Sequence, residues 1–183
     1  MRYQPAQNLH YNTHACTMST IQKISPNLWF NGNAEEAANY YVSIFPNSRI
    51  GRKLLVTEDV VKDSGRPLGS LLFLEFELDG QLFQGLNGGP QFTFSEAVSF
   101  VVNCKDQNEV DHYWEKLGAG GDPNAQMCGW LKDKFGVSWQ VVPTAFIDMI
   151  TDKDQMKVNR AMAAMMQMKK LDIAEMQLAF SVH

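Results

Sequence analysis

Apolar and polar residues alternate along this chain in short blocks, and the blocks form two similar series. The first opens on Leu28, Trp29 and Phe30, an apolar run of strand type that ends at Asn31, Gly32 and Asn33. Asn33 is a favourable N-cap, and Glu36 stands three positions on, as in a capping box. Ala34, Ala37, Ala38, Tyr41 and Phe45 then recur at helical spacing until Pro46 stops the helix. Strands are predicted next over residues 49–56, 71–78 and 81–86, with Asp79 and Gly80 as the hairpin turn of the last two. The polar stretch 57–70, which holds Gly65, Pro67 and Gly69, reads as a mobile loop.

The second series begins near residue 98 with another apolar strand, over 98–102. Asp106 is its N-cap and Glu109 follows three residues later. Val110, Tyr113, Trp114 and Leu117 mark one helical face, and Gly118 closes it. At an offset of 73 residues the two caps coincide, Tyr40 meets Tyr113, Tyr41 meets Trp114 and Ile44 meets Leu117. A Gly-rich turn, a short segment over 127–131 and a strand over 137–142 complete the unit. The final strands also agree: Gly80, Gln81, Leu82, Phe83, Gln84 against Gly136, Val137, Ser138, Trp139, Gln140, at an offset of 56. These coincidences favour an internal duplication.

The predicted fold class is α+β. Two βαβββ-like modules, residues 19–86 and 96–143, form a half-barrel cleft and are joined by a Gly-rich linker over 87–95. A C-terminal extension over 144–183 reads as two helices, about 154–169 and 172–180, packing on the same domain or on a partner subunit. It holds seven of the ten methionines, which at helical spacing suit a core or a subunit contact more often than a pocket. Residues 1–18 are polar and without period, and read as a disordered extension. His10 and His14 stand four apart there, but nothing predicts the helix that a metal site would need.

Composition narrows the function classes. With 45% hydrophobic and 20% charged residues the chain reads as globular. A net charge of −4 and no basic patch argue against a nucleic-acid partner. No apolar run is long enough to span a membrane and no signal peptide is evident, so a cytoplasmic location is expected. The three cysteines, Cys16, Cys104 and Cys128, lack paired spacing and read as reduced thiols. A nucleophilic role for Cys104 or Cys128 is the minor alternative to simple packing.

Two longer motifs carry a resemblance. One runs from Leu28 through Asn31, Gly32, Asn33, Ala34, Glu35, Glu36 and Ala37, and continues over 41–46. The other runs from Gly129 and Trp130 through Asp133, Phe135 and Gly136 to Trp139 and Gln140. With the Met-rich stretch 163–173, they resemble the PhnB-like family of the vicinal oxygen chelate (glyoxalase/bleomycin-resistance) superfamily, over about residues 19–180. Members are often labelled 3-demethylubiquinone 3-methyltransferase. The resemblance implies a fold more firmly than a reaction.

In superfamily enzymes each module gives a divalent metal one His from its first strand and one Glu from its last, and the metal acts as a Lewis acid. By resemblance these places fall near Pro26 and Ser99, or Asn27 and Phe100 one residue on, and at Gln84 and Gln140. None offers imidazole, thiolate or carboxylate, so no tight metal site and no cofactor are expected. Gln84 and Gln140 either satisfy buried backbone groups or bind a polar ligand head. Phe83 and Trp139 face the other way, under the helices. Trp29 and Trp130 are candidates to stack on an aromatic ligand, or are core.

Three functions follow. The favoured one is binding of a small, partly aromatic molecule in the cleft by a homodimer, through Gln84, Gln140, Trp29 and Trp130. A metal-independent isomerase- or lyase-like enzyme is the second, with Glu75 and Glu77 as weak acid–base candidates that more simply form an exposed polar face. Methyl transfer is the third. The clusters Gly85, Gly88, Gly89 and Gly118, Gly120, Gly121 read as turns and not as a methyl-donor loop ahead of a helix.

Overall fold

The computed structural model describes residues 22–64 and 66–182. The expectations for residues 1–18, with His10, His14 and Cys16, lie outside the described residues. The first module contains β1 (Asn27–Phe30), α1 (Ala34–Ile44), β2 (Arg49–Leu55), α2 (Glu58–Ser64), β3 (Leu71–Leu78) and β4 (Gln81–Asn87). The second contains β5 (Phe100–Cys104), α3 (Gln107–Gly118), β6 (Asp122–Met127), β7 (Trp130–Lys132) and β8 (Ser138–Pro143). Then come α4 (Thr144–Ile150), α5 (Gln155–Met165) and α6 (Ile173–Ser181).

Each module folds into an open four-stranded mixed sheet, in the order β1-β4-β3-β2 and β5-β8-β7-β6. The first strand of each pairs in parallel with the last, and the other pairings are antiparallel. Asp79 and Gly80 turn the β3–β4 hairpin with both φ angles positive, 46° and 80°, as a type I′ turn requires. Cys128 and Gly129 do the same between β6 and β7, with φ of 53° and 84°. A side chain at position 129 would also press on the Val141 carbonyl and Leu171, each at 3.1 Å.

Burial alternates along the strands and assigns their faces. Leu28 and Phe30 of β1, Leu74, Phe76 and Leu78 of β3, and Phe83 of β4 are buried. So are Val102 and Cys104 of β5, Leu131 of β7, and Trp139 and Val141 of β8. All belong to one core with Ala34, Ala37, Ala38 and Tyr41 of α1 and Val110 and Leu117 of α3. The helix-bearing faces of the two sheets thus meet each other. Phe83 contacts Phe100 with ring centroids 5.2 Å apart, and Trp139 contacts Tyr41 and Phe45 at 5.4 and 5.6 Å.

A buried carboxylate ties the modules together. Asp133 Oδ2 accepts from the Tyr41 hydroxyl at 2.7 Å and from Trp139 Nε1 at 2.8 Å. Its Oδ1 accepts from the amides of Phe135 and Val137 at 2.8 and 3.0 Å. Burial outweighs these four donors and holds the Asp133 carboxyl above its ordinary range.

Several local expectations change. The polar stretch 57–70 holds the short helix α2, with Glu58 and Asp59 favourable in its first turn. The Asp106 cap of α3 forms: its side chain accepts from the Glu109 amide at 3.0 Å, while the Glu109 side chain reaches one residue past the N-cap and accepts from the Lys105 amide at 2.9 Å. The expected cap of α1 does not. Asn33 makes no side-chain cap, and Asn87 Oδ1 from β4 accepts the Ala34 amide instead, at 3.0 Å. The segment read as 127–131 is a hairpin, β6 and β7, and the C-terminal extension has a third helix, α4. There Phe146 and Met149 join Val142, Ala161, Met165, Met168, Leu171 and Met176 in a second core. This extension packs on the second module. Cys128 and Gly129 amides donate to the Met168 and Lys169 carbonyls at 2.8 Å, and Lys170 pairs with Asp111 at 2.6 Å. Among the described residues no helix is long and apolar enough to cross a membrane.

Candidate functional site

The strand pairings place the four candidate residues. Gln84 follows the buried Phe83, so its side chain lies on the face of the first sheet turned away from the core. Gln140, after Trp139, lies on the corresponding face of the second sheet. Within one chain the two glutamines therefore occupy opposite outer faces instead of converging in a cleft between its own modules, because that space is filled by α1 and α3.

Each outer face is organised in rows across four strands. On the first sheet Trp29 pairs with Leu86, Leu86 with Phe73 and Phe73 with Leu54, an apolar row of which Leu54 is half-exposed. The adjacent row is polar: Asn27 pairs with Gln84 and Gln84 with Glu75. On the second sheet one row runs Val101, Gln140, Trp130, Met127. Val101 and Met127 are exposed in it, while Gln140 and Trp130 are half-buried. The structure thus brings Trp29 beside Gln84 on one face and Trp130 beside Gln140 on the other.

The supports of these residues differ. Trp29 rests on Gly88, where any Cβ would fall within the indole at 2.1 Å. Its Nε1 donates to the Gly89 carbonyl at 2.8 Å, and its ring meets Phe92 edge-on at 4.9 Å. The linker therefore fixes Trp29 and leaves part of its surface open. The Gln140 amide donates to Ser99 Oγ at 2.9 Å. Ser138, two residues earlier on that face, has a buried hydroxyl with no hydrogen-bond partner among the described residues.

Glu75 was read as part of an exposed face, yet it is only 8% exposed. A bulge in β2 brings Arg52 across to it, with Nε to Oε2 at 2.6 Å and Nη2 to Oε1 at 2.5 Å. The bidentate Arg52 bond lowers the Glu75 carboxyl below its ordinary value. A carboxylate so held is a weak proton acceptor but a firm charged anchor. The signal that could have shown this pair is Gly51, where a Cβ would meet the Glu75 Cβ at 3.1 Å. Glu77 pairs with Arg49 at 2.5 Å.

The places of the superfamily's metal ligands fall beside the glutamines. The Gln84 backbone N–H donates to the Pro26 carbonyl at 2.8 Å, and Ser99 meets the Gln140 side chain as above. In the second module β5 pairs one residue out of step with the offset of 73, because its turn into α3 is one residue shorter than that from β1 into α1. The second place thereby moves from Ser99 to Phe100. Proline or asparagine, serine or phenylalanine, and two glutamines do not make the donor set of a divalent metal. Among the described residues, no three His, Cys, Asp or Glu side chains are grouped to hold one. Cys104 is buried, and that burial pushes its thiol up to about 12, which disfavours a nucleophilic thiolate. Cys128 Sγ sits 3.9 Å from Met166 Sδ at the edge of the second core.

Comparison with known proteins gives a consistent result. The profile of the family described as 3-demethylubiquinone-9 3-methyltransferase matches residues 22–142, about two thirds of the chain. The match stops before α4, so the helical extension lies beyond it. The PhnB protein of Bacillus cereus is similar at 34% identity over 67% of this chain and 99% of its own, with a TM-score of 0.56. Protein PA1353 from Pseudomonas aeruginosa shares the fold at 21% identity, over 66% of this chain and 96% of its own, with a TM-score of 0.50. No curated protein matches.

Proposed function

The chain belongs to the 3-demethylubiquinone-9 3-methyltransferase (PhnB-like) family of the vicinal oxygen chelate superfamily, and from that premise we propose that it is a metal-independent binding protein for a small, partly aromatic molecule, working as a homodimer. The observation that carries this reading is the outward placement of Trp29 with Gln84 and of Trp130 with Gln140. A cleft built from both pairs needs the first sheet of one copy to face the second sheet of another. The indoles then grip the flat part of a ligand and the glutamine amides take its polar head.

Mixing two variants tests the composite cleft. Gln84→Ala and Gln140→Ala homodimers each carry a defect in both clefts. A mixed dimer has one cleft with both defects and one intact. Tryptophan fluorescence titration with 2-methoxyphenol is expected to show weakened binding in each variant alone and recovery of about a quarter of the wild-type sites after subunit exchange, since about half the dimers are then mixed and each has one intact cleft. No recovery, or a monomer in light scattering at tens of micromolar, would count against the reading.

The family's description names methyl transfer, and this chain offers little to support it. Gly85, Gly88 and Gly89 lie at the end of β4 and lead into an irregular linker, while Gly118, Gly120 and Gly121 lead from α3 into β6. Neither cluster opens a helix after a strand, the placement that would cradle an anionic donor. Proton abstraction by Glu75 is disfavoured by its pairing with Arg52.

A further inference from the structure

A further cavity lies elsewhere than between these faces. It opens between the β3–β4 hairpin and the edge strand β5 and encloses about 360 Å³, within the range of small-molecule sites. Five aromatic rings wall it: Phe45, Phe83, Phe100, Tyr113 and Trp139. They come from both modules and pack against one another, with Phe45 stacked on Tyr113 at 5.0 Å and Phe100 tilted against Trp139 at 5.4 Å. Phe45, Phe100 and Tyr113 are half-buried and offer open ring surface, while Phe83 and Trp139 lie buried behind them.

Its polar edge has one sign. Asp79 is the only residue of the lining with a formal charge; Gln81, Ser99 and Asn103 supply neutral groups. The Asp79 carboxylate receives one long hydrogen bond, from Asn47 Nδ2 at 3.3 Å, which leaves acceptor capacity toward the opening. The nearby Lys105 is engaged by Glu109 at 2.8 Å. Burial, then the negative groups around it with Glu109 foremost and Asp79 among them, raises the Tyr113 phenol above its ordinary value. The cavity is therefore aromatic, rigid and acid-edged. Aromatic faces and a carboxylate both attract a cation carried on an apolar body.

We propose that this cavity is a second binding site that takes a small aromatic amine, its ring against Phe45, Phe100 and Tyr113 and its ammonium group on Asp79. The site is complete within one chain, and it adjoins the face of Gln140 through Ser99 and Val101.

A charge series on one skeleton tests it. The full-length ¹⁵N-labelled chain is titrated with 2-phenylethylamine, 2-phenylethanol and 3-phenylpropanoate, and amide and indole shifts are followed. The amine is expected to bind about fivefold more tightly than the alcohol, with shifts at residues 79–81, at 100–103 and at the Trp139 indole. The carboxylate is expected to bind more weakly than either, and added salt to narrow the gap. Asp79→Asn keeps the turn, because asparagine also accepts the φ of 46°, and is expected to abolish the amine's advantage while leaving the alcohol unchanged. Shifts at residues 79–81 and 100–103 that saturate apart from any at Trp29 and Trp130 are expected, which separates this site from the dimer cleft. Equal binding of amine and carboxylate, shifts confined to Trp29 and Trp130, or an amine preference that survives Asp79→Asn would each overturn the proposal, as would no binding at millimolar concentration.

Discussion

In the first module α1 is capped from a distance: Asn87, at the end of β4, takes the Ala34 amide with its Oδ1 and gives its Nδ2 to the Leu71 carbonyl at 3.0 Å. In the second module α3 is capped by its own neighbours, Asp106 and Glu109. The last hairpins differ as well. Module one turns from β3 to β4 through two residues, Asp79 and Gly80, while module two spends residues 133–137 between β7 and β8. That longer loop is where Asp133 reaches back to Tyr41 of the other module. One plan thus serves two ends. The first module is held by long-range polar contacts within its own sheet, and the second supplies the contact that joins the halves. The second also carries the helical extension, whose Leu171 and Met168 pack at the Cys128 and Gly129 turn.

The sharpest way to break this comparison is Asp133→Ala. It strands the Tyr41 hydroxyl, the Trp139 indole N–H and two amides in a core where Tyr41 is fully buried. A loss of about 3 kcal/mol in urea unfolding is expected. A change below about 1 kcal/mol would show that the modules are held by their aromatic packing alone. Next comes the pair Asn87→Ala and Asp106→Ala. The buried Asn87 makes two bonds that no neighbour can replace, so about 2 kcal/mol is expected. The half-buried local cap Asp106 is expected to cost about 1 kcal/mol. Equal costs would mean that distance along the chain is irrelevant to the strength of a cap.

These differences also explain what the sequence made legible. Strand and helix periods gave β3 to the residue and placed both module helices, because each buries one face in a common core. The glycine-aromatic-glutamine repeat rightly put Phe83 and Trp139 under the helices and their glutamines opposite. The cap of α1 was not legible, since its partner stands 53 positions away and the local residues spelled a plausible alternative. Nor was the direction in which the modules meet. Amphipathic periodicity reports that a face is buried, not what buries it, so a cleft inside one chain and a cleft between copies read alike. The helix α4 was overlooked for a simpler reason. Its seven residues are too few for a period to show, although Phe146 and Met149 stand at helical spacing.

The smallest expected effect concerns pH, and its sign follows from Asp133. In the unfolded chain this carboxyl titrates near the ordinary value of about 3.9. In the folded chain burial raises it, ahead of the hydrogen bonds from Trp139, Tyr41 and two amides that act the other way. Below the unfolded value both states are protonated and the contribution of Asp133 is complete. As pH rises between the two values the unfolded state releases its proton first, so that contribution falls, and it levels off above the folded value. Glu75, Glu109 and Asp111 act in the opposite sense. Their partners Arg52, Lys105 and Lys170 lower them, so their contributions are present above ordinary carboxylate values and fade as pH falls. The wild-type curve alone mixes the two trends. Asparagine at position 133 removes only the first. The stability of the wild type relative to Asp133→Asn, followed by urea unfolding from pH 3.5 to pH 7, is therefore expected to decline as pH rises above about 4. A relative stability that climbs instead would mean that the four donors outweigh burial, and that the joint between the modules is strongest with Asp133 charged.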